Sequence, residues 1–264
     1  MSNTIFGLTG KAAIIFGGTS GINLGIAKRY VESGAGVFVV SRKQENVDAA
    51  TAALQAVASG APGEVLGGCT ADVRDVDAVR LAVEAAASKA GGLDIVISGA
   101  AGNFLCPAEE LSSNGFRTVV DIDLIGTFNV ASASFPHLNL PGANIIAISA
   151  PQGAKPVHGQ VHACAAKAGV NMLTKCLAME WGPKGVRVNA ISPGPIGDTE
   201  GMKRLAESDD AATRLASSLS LGRYGTIEEI ADAACFLASP QAEYINGIVL
   251  DVDGGAMLGT GQIV

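Results

Sequence analysis

The stretch Lys11–Arg29, reading KAAIIFGGTSGINLGIAKR, constrains the fold more than any other part of the chain. Ala12–Phe16 is an unbroken apolar run of strand length, which suits a strand buried on both faces of a parallel sheet. Gly17, Gly18, Gly21 and Gly25 follow where such a strand turns into a helix. An anion can lie against bare backbone N–H groups at a helix N-terminus, where a Cβ would block it and the helix dipole favours it. The expectation is a dinucleotide site; the plainer alternative is a glycine-rich turn that binds nothing.

The rest of the chain repeats the alternation. Strands are expected at Ala12–Phe16, Val37–Ser41, Glu64–Ala71, Asp94–Ser98, Asn144–Ser149, Arg187–Ile191 and Ile248–Val252. Helical patterns separate them near Gly25–Ser33, Gln44–Ser59, Val76–Ala90, Ser112–Ser134, Gln160–Trp181 and Thr226–Ala238. Such alternation predicts an α/β fold, a Rossmann-like, doubly wound parallel sheet of seven strands with helices on both faces. At 264 residues, without a repeat or linker, the chain is expected to form one domain. Pro193–Leu221 is too long for an ordinary connection and reads as a lid over the substrate.

With 18 basic and 25 acidic residues, the net charge of −7 argues against general binding to nucleic acid or an anionic membrane. Five dispersed cysteines show neither metal-site nor redox spacing, so no metal is expected and the thiols fit a reducing compartment. With no leader-like start, apolar span or peroxisomal terminal tripeptide, the expected location is cytoplasmic.

The ends of the strands carry the chemistry. The second ends Ser41-Arg42-Lys43, and an arginine there suits the 2′-phosphate of NADP(H), unless it is only a solvated loop residue. After the third comes Asp72-Val73, where the acid either accepts from an adenine amino group or caps the next helix. The fourth runs into Gly99-Ala100-Ala101-Gly102, small residues that let a cofactor pass close to the backbone.

These segments, with Lys167, Arg187-Val188-Asn189, Pro193-Gly194-Pro195 and Asp253-Gly254-Gly255, resemble the short-chain dehydrogenase/reductase family over nearly the whole chain. The resemblance implies cofactor contacts from Gly17, Gly18, Thr19, Ser20, Gly21, Ile22, Ser41, Arg42, Asp72, Val73, Ala100, Lys167, Pro193, Gly194, Ile196 and Thr199. It also implies a homotetramer built through the fourth and fifth helices. One glycine of the usual turn is replaced by Asn23.

The departures are larger at the catalytic positions. The family's tyrosine position holds Ala163, its serine position Ala150 and its asparagine position Asp123; only Lys167 remains of the usual four groups. An alanine cannot hand a proton to an alkoxide, so ordinary alcohol dehydrogenation is not expected. The segments around Asn103, Asp123, Gly126-Thr127-Phe128-Asn129, Gln160-Val161-His162-Ala163 and Glu180-Trp181-Gly182-Pro183 are similar to peroxisomal-type 2,4-dienoyl-CoA reductases, which also lack the tyrosine and carry the aspartate. This implies NADPH-dependent reduction of a conjugated dienoyl-CoA thioester, fatty-acid chemistry, with Asn103, Phe104, Ser112, Ser113, Asn114 and Arg204 touching an acyl-CoA substrate. The alternatives are an oxidoreductase for another activated alkene or ketone, and a catalytically silent nucleotide binder.

Asp123 shares a largely apolar helical stripe with Phe116, Val119, Val120 and Thr127, so its carboxyl is expected in the site, acting directly or through water. Asp121, about 200° further round an ideal helix, reads as a surface acid. Lys167 falls one turn after Ala163 and is expected to hold the cofactor ribose. His158 and His162 flank the vacant position, but a histidine one residue off the active face points elsewhere.

Overall fold

The computed structural model describes residues 6–199 and 209–258. Seven strands form one all-parallel sheet: β1 (Ala12–Phe16), β2 (Gly36–Ser41), β3 (Glu64–Thr70), β4 (Ile95–Ser98), β5 (Ala143–Ile148), β6 (Val186–Pro193) and β7 (Val249–Val252). Their order is β3-β2-β1-β4-β5-β6-β7, so the winding reverses between β1 and β4. A crevice opens beyond the strand ends at such a reversal.

The eight described helices are α1 (Gly21–Glu32), α2 (Gln44–Ala58), α3 (Val76–Ala90), α4 (Ser113–Val120), α5 (Gly126–Ser134), α6 (Val161–Trp181), α7 (Asp209–Ser218) and α8 (Ile227–Ala238). Alternate residues of β1 feed two cores. Ala13 and Ile15 pack with α1, α2 and α8, while Ile14 and Phe16 pack with α3, α5 and α6. Each of Ile14, Ile15 and Phe16 is fully buried, and such burial stabilises by about 1.5–3 kcal/mol per side chain. This two-sided demand is why the first strand carries no polar residue.

The sheet matches the expected one, with strand ends shifted by at most two residues. Two helices differ in a way that bears on function. α1 begins at Gly21, not Gly25. Gly25 lies inside the helix, where a Cβ would run into the Cγ2 of Ile227 on α8. That glycine serves helix packing rather than helix initiation.

The unbroken helix expected over Ser112–Ser134 is interrupted. A π turn, Asp121–Ile125, separates α4 from α5 and inserts a wide hydrogen-bonded turn at Asp123. π turns of this kind often mark functional positions. Of the expected lid, 200–208 lie outside the described residues, Lys203 and Arg204 among them.

α8 holds α1 in place and starts with a capping box in which Thr226 and Glu229 satisfy each other's backbone N–H. The Arg223 guanidinium bonded to Glu229 at 2.6 and 2.9 Å, followed by the Thr226 N–H, lowers the carboxyl from 4.5 to about 2. A depressed carboxyl contributes stability that is present above the ordinary value and lost as pH falls through the folded one. Between pH 4.5 and 2, thermal melting of the Glu229→Gln variant is therefore expected to fall less steeply than that of the parent.

Candidate active site

A cleft of about 300 Å³ opens at the carboxyl ends of β1, β2 and β4. Gly17, Thr19 and Ser20 form its floor, Ser41 and Arg42 one wall, and Asp72, Val73 and Ala100 the other. The N–H groups of Gly17 and Gly18 are taken by the Val40 carbonyl at 2.8 and 3.3 Å, which folds the turn back onto β2. Gly17 has φ +75°, and a Cβ there would press on the backbone of Gly99 and Ala100 at 3.0 Å. No side chain caps α1, so its first N–H groups remain available to an anion. At Gly21, φ +51°, a backbone conformation that L side chains rarely adopt, a Cβ would meet nothing within 4 Å.

Asn23 shows why the turn departs from the usual pattern. Its Nδ2 donates to the Gly99 carbonyl at 2.8 Å, tying α1 to the end of β4, and its amide occupies the space above Gly99. Asp72 does not cap the next helix. That role belongs to Asp75, whose carboxylate accepts from the N–H of Asp77 and Ala78. Asp72 instead pairs with Arg74 at 2.6 and 3.0 Å, and that bond holds its carboxyl below the usual range, as an acceptor on the cleft wall.

A second, more apolar cavity of about 680 Å³ adjoins the first. Ile22, Pro193, Gly194, Ile196 and Thr199 line the side toward the cleft, and Asn103, Asp123, Ala163 and Lys167 the inner wall. Asp123 is 2% exposed. Its Oδ1 accepts from the Gly102 N–H at 2.7 Å and its Oδ2 faces Lys167 Nζ at 3.1 Å. Lys167 also donates to the Ile148 carbonyl at 2.9 Å. The Asp123 carbonyl accepts from Thr127 Oγ1 at 2.7 Å, which receives Ser98 Oγ at 3.1 Å. The result is a buried ion pair beside an alanine, each member with a second hydrogen-bond partner. Two charges leave water only when arranged in this way.

Among the described residues no hydroxyl bonds to the Asp123–Lys167 side-chain pair in place of the missing phenol. Ser149 reaches the cavity wall but donates to Asn171 Oδ1 at 2.5 Å. His162 is fully buried, stacked on Phe104 at 4.4 Å and 27°, and lines neither cavity. Ser112 caps α4 by accepting from the Gly115 N–H at 3.0 Å. Ser113 and Asn114 are exposed on α4, and Ser112, Ser113, Asn114 and Phe104 all lie outside both cavity linings. Asp121 is half-buried, and its charge is near enough to help Asp72 raise the Arg74 guanidinium above its ordinary value.

Sequence reasoning missed Gln160. It stands just before α6, is 2% exposed and lines the inner cavity. Its spacing of three to Ala163 and seven to Lys167 puts all three on one helix face, a signal present in the chain itself.

A family model described as "Enoyl-(Acyl carrier protein) reductase" matches residues 17–257. A short-chain dehydrogenase from Bacillus anthracis superposes with a TM-score of 0.83 at 39% identity, covering 95% of this chain and 98% of that one. The chain belongs to the short-chain dehydrogenase/reductase family. A family member from Serratia marcescens superposes with a TM-score of 0.86 at 32% identity, covering 95% of this chain and 99% of its own. Among curated relatives, the mouse "Peroxisomal 2,4-dienoyl-CoA reductase [(3E)-enoyl-CoA-producing]" is 44% identical over 95% of this chain and 85% of its own length. The Bacillus subtilis "Probable 2,4-dienoyl-CoA reductase [(2E)-enoyl-CoA-producing]" is 42% identical over 94% of this chain and 97% of its own.

Membership makes the chain an oxidoreductase and implies a nicotinamide dinucleotide. The free N–H groups at the start of α1, the bare Gly21 and the adjoining cleft and cavity fit such a molecule. Among the described residues no helix is long and apolar enough to cross a membrane.

Proposed function

We propose that this protein reduces a conjugated 2,4-dienoyl-CoA thioester with NADPH. The observation that carries the reading is the buried Asp123–Lys167 pair facing the cavity beside Ala163. A nucleotide binder without catalysis has no use for an ion pair at that place, and a carbonyl reductase would need the absent hydroxyl. The reading also rests on the likeness to named 2,4-dienoyl-CoA reductases.

When bound, NADPH supplies a hydride to the far end of the conjugated system. The chain's residues do the rest. Lys167 holds the cofactor ribose and keeps Asp123 in place, and the pair supplies a proton, directly or through water, to the α-carbon. Dienoyl-CoA, NADPH and one proton thus become 3-enoyl-CoA and NADP⁺. Protonation at the α-carbon leaves the remaining double bond in the 3-position, the product named for the mouse relative. The apolar wall of the cavity, including Leu215 and Leu219 from the expected lid segment, suits the acyl chain.

Turnover of a 2,4-dienoyl-CoA, followed by cofactor oxidation, tests the proposal. Tight NADPH binding with no oxidation would favour the silent nucleotide binder. NADPH as the cofactor is supported by Arg42, an exposed guanidinium lining the smaller cleft, which suits a 2′-phosphate. A hydrogen bond to a charged group contributes about 1.5–3 kcal/mol, or about ten- to a hundredfold. The NADPH-over-NADH preference of Arg42→Ala is expected to drop by that factor, and an unchanged preference would place its source elsewhere.

We also infer assembly into a homotetramer. Phe116, Ile125, Phe128, Met172 and Met179 are exposed apolar side chains on α4, the π turn, α5 and α6, a grouping that suits contact between copies.

A further inference from the structure

The inner cavity holds a polar device that the Asp123–Lys167 pair does not explain. Gln160 Oε1 accepts from Asn103 Nδ2 at 3.1 Å and from Gln152 Nε2 at 2.8 Å. One amide carbonyl is thus clamped by two amides from separate segments. A primary amide nitrogen carries two donor hydrogens. Among the described residues Gln160 Nε2 donates to no protein group, yet it is not one of the buried atoms sealed from solvent. The residue is 2% exposed and borders the cavity, which is the open space beside it that a donor from the NH₂ can reach.

The other polar groups on this wall already have protein partners. Lys167 serves Asp123 and the Ile148 carbonyl, Ser149 serves Asn171, and Thr199 donates to the Ile196 carbonyl at 2.8 Å. Lys155 is solvent exposed at the rim.

We propose that Gln160 is a catalytic residue whose Nε2 donates to the thioester oxygen, with Gln152 as a positioning residue that fixes the amide. The inference rests on the dienoyl-CoA reading and deepens it. Hydride brings two electrons to the far alkene carbon; the conjugated π electrons move onto the thioester oxygen; they return as the α-carbon takes its proton. Gln160 keeps its own protons throughout. Its donor is oriented before the charge arrives, in an apolar cavity where a fixed dipole is most effective.

The experiment uses the full-length protein saturated with NADP⁺, which has no hydride to give, and 2,4-hexadienoyl-CoA as probe. Polarising the thioester carbonyl moves the dienoyl absorption band to the red. The parent protein is expected to show that shift on binding. Gln160→Glu keeps an acceptor for Asn103 and Gln152 but replaces the donor with an anion. It is expected to melt below the parent, because it adds a buried charge beside neutral amides. Measured where it is folded, it is expected to lose the shift and about 10²–10³-fold in turnover with NADPH, the loss typical of one oxyanion donor. Gln152→Leu is expected to give a smaller loss and a partial shift.

A shift and turnover that survive Gln160→Glu overturn the assignment. So does a parent protein that binds and turns over the thioester with no red shift; both results leave the reductase reading standing. A parent protein that does not bind the thioester overturns that reading, and this one with it.

Discussion

Asp123→Asn is expected to lower dienoyl-CoA turnover by at least about 100-fold, the range for a lost acid–base group, while NADPH affinity changes little. The argument is geometric. Both carboxylate oxygens have fixed partners, the Gly102 N–H at 2.7 Å and Lys167 at 3.1 Å. An asparagine keeps an acceptor for Gly102 but gives the ammonium no anion, so the proton-supplying pair is dismantled; because this also strands a buried charge, turnover is compared at a temperature where the variant is folded. Asp123 lines the inner cavity and not the smaller cleft, so the adenosine half of the cofactor should not sense the change. Steady-state cofactor oxidation and a fluorescence titration with NADPH measure the two quantities. Near-normal turnover would remove Asp123 from the mechanism.

The second large effect is on stability. Lys167→Met strands the Asp123 carboxylate, 2% exposed, with the Gly102 N–H as its remaining partner. Removing one member of a buried pair costs about 3–5 kcal/mol, because the other charge stays buried without compensation. In the double variant Asp123→Asn/Lys167→Met no charge is left, Gly102 keeps its acceptor, and most of that loss should return. Urea denaturation of the parent, both single variants and the double variant closes the cycle. If the double variant is as unstable as Lys167→Met, the buried charge is not the source of the loss.

Much of this architecture was legible because it repeats in the residues themselves. A strand buried on both faces must be apolar at every position, so AAIIF at Ala12–Phe16 announced a central parallel strand. Asp123 was legible for a related reason: a carboxyl on the stripe of Val119 and Thr127 has nowhere wet to go, and the structure buries it. What stayed hidden depends on contacts between distant segments. That Gly25 makes room for Ile227 involves residues two hundred positions apart. The orientation of Gln160 is set by Asn103 and Gln152, which no local periodicity connects. Counting at 100° per residue also assumed a regular helix through Asp123, and hydrogen-bond register is not written in side-chain type.

That register has an engineering consequence. Gly126 follows the wide turn and packs so closely on Val73, at the wall of the smaller cleft, that a Cβ would sit 2.6 Å from Val73 Cγ2. Deleting a single residue from 121–125 is expected to close the wide turn into ordinary helix, removing the extra residue it takes up and re-aiming the side chains within it by about 100° per residue. Asp123 would then turn away from Lys167, so chain length here sets the geometry of the pair as firmly as residue identity does, and redesign must treat an indel at this turn as a change to the candidate active site.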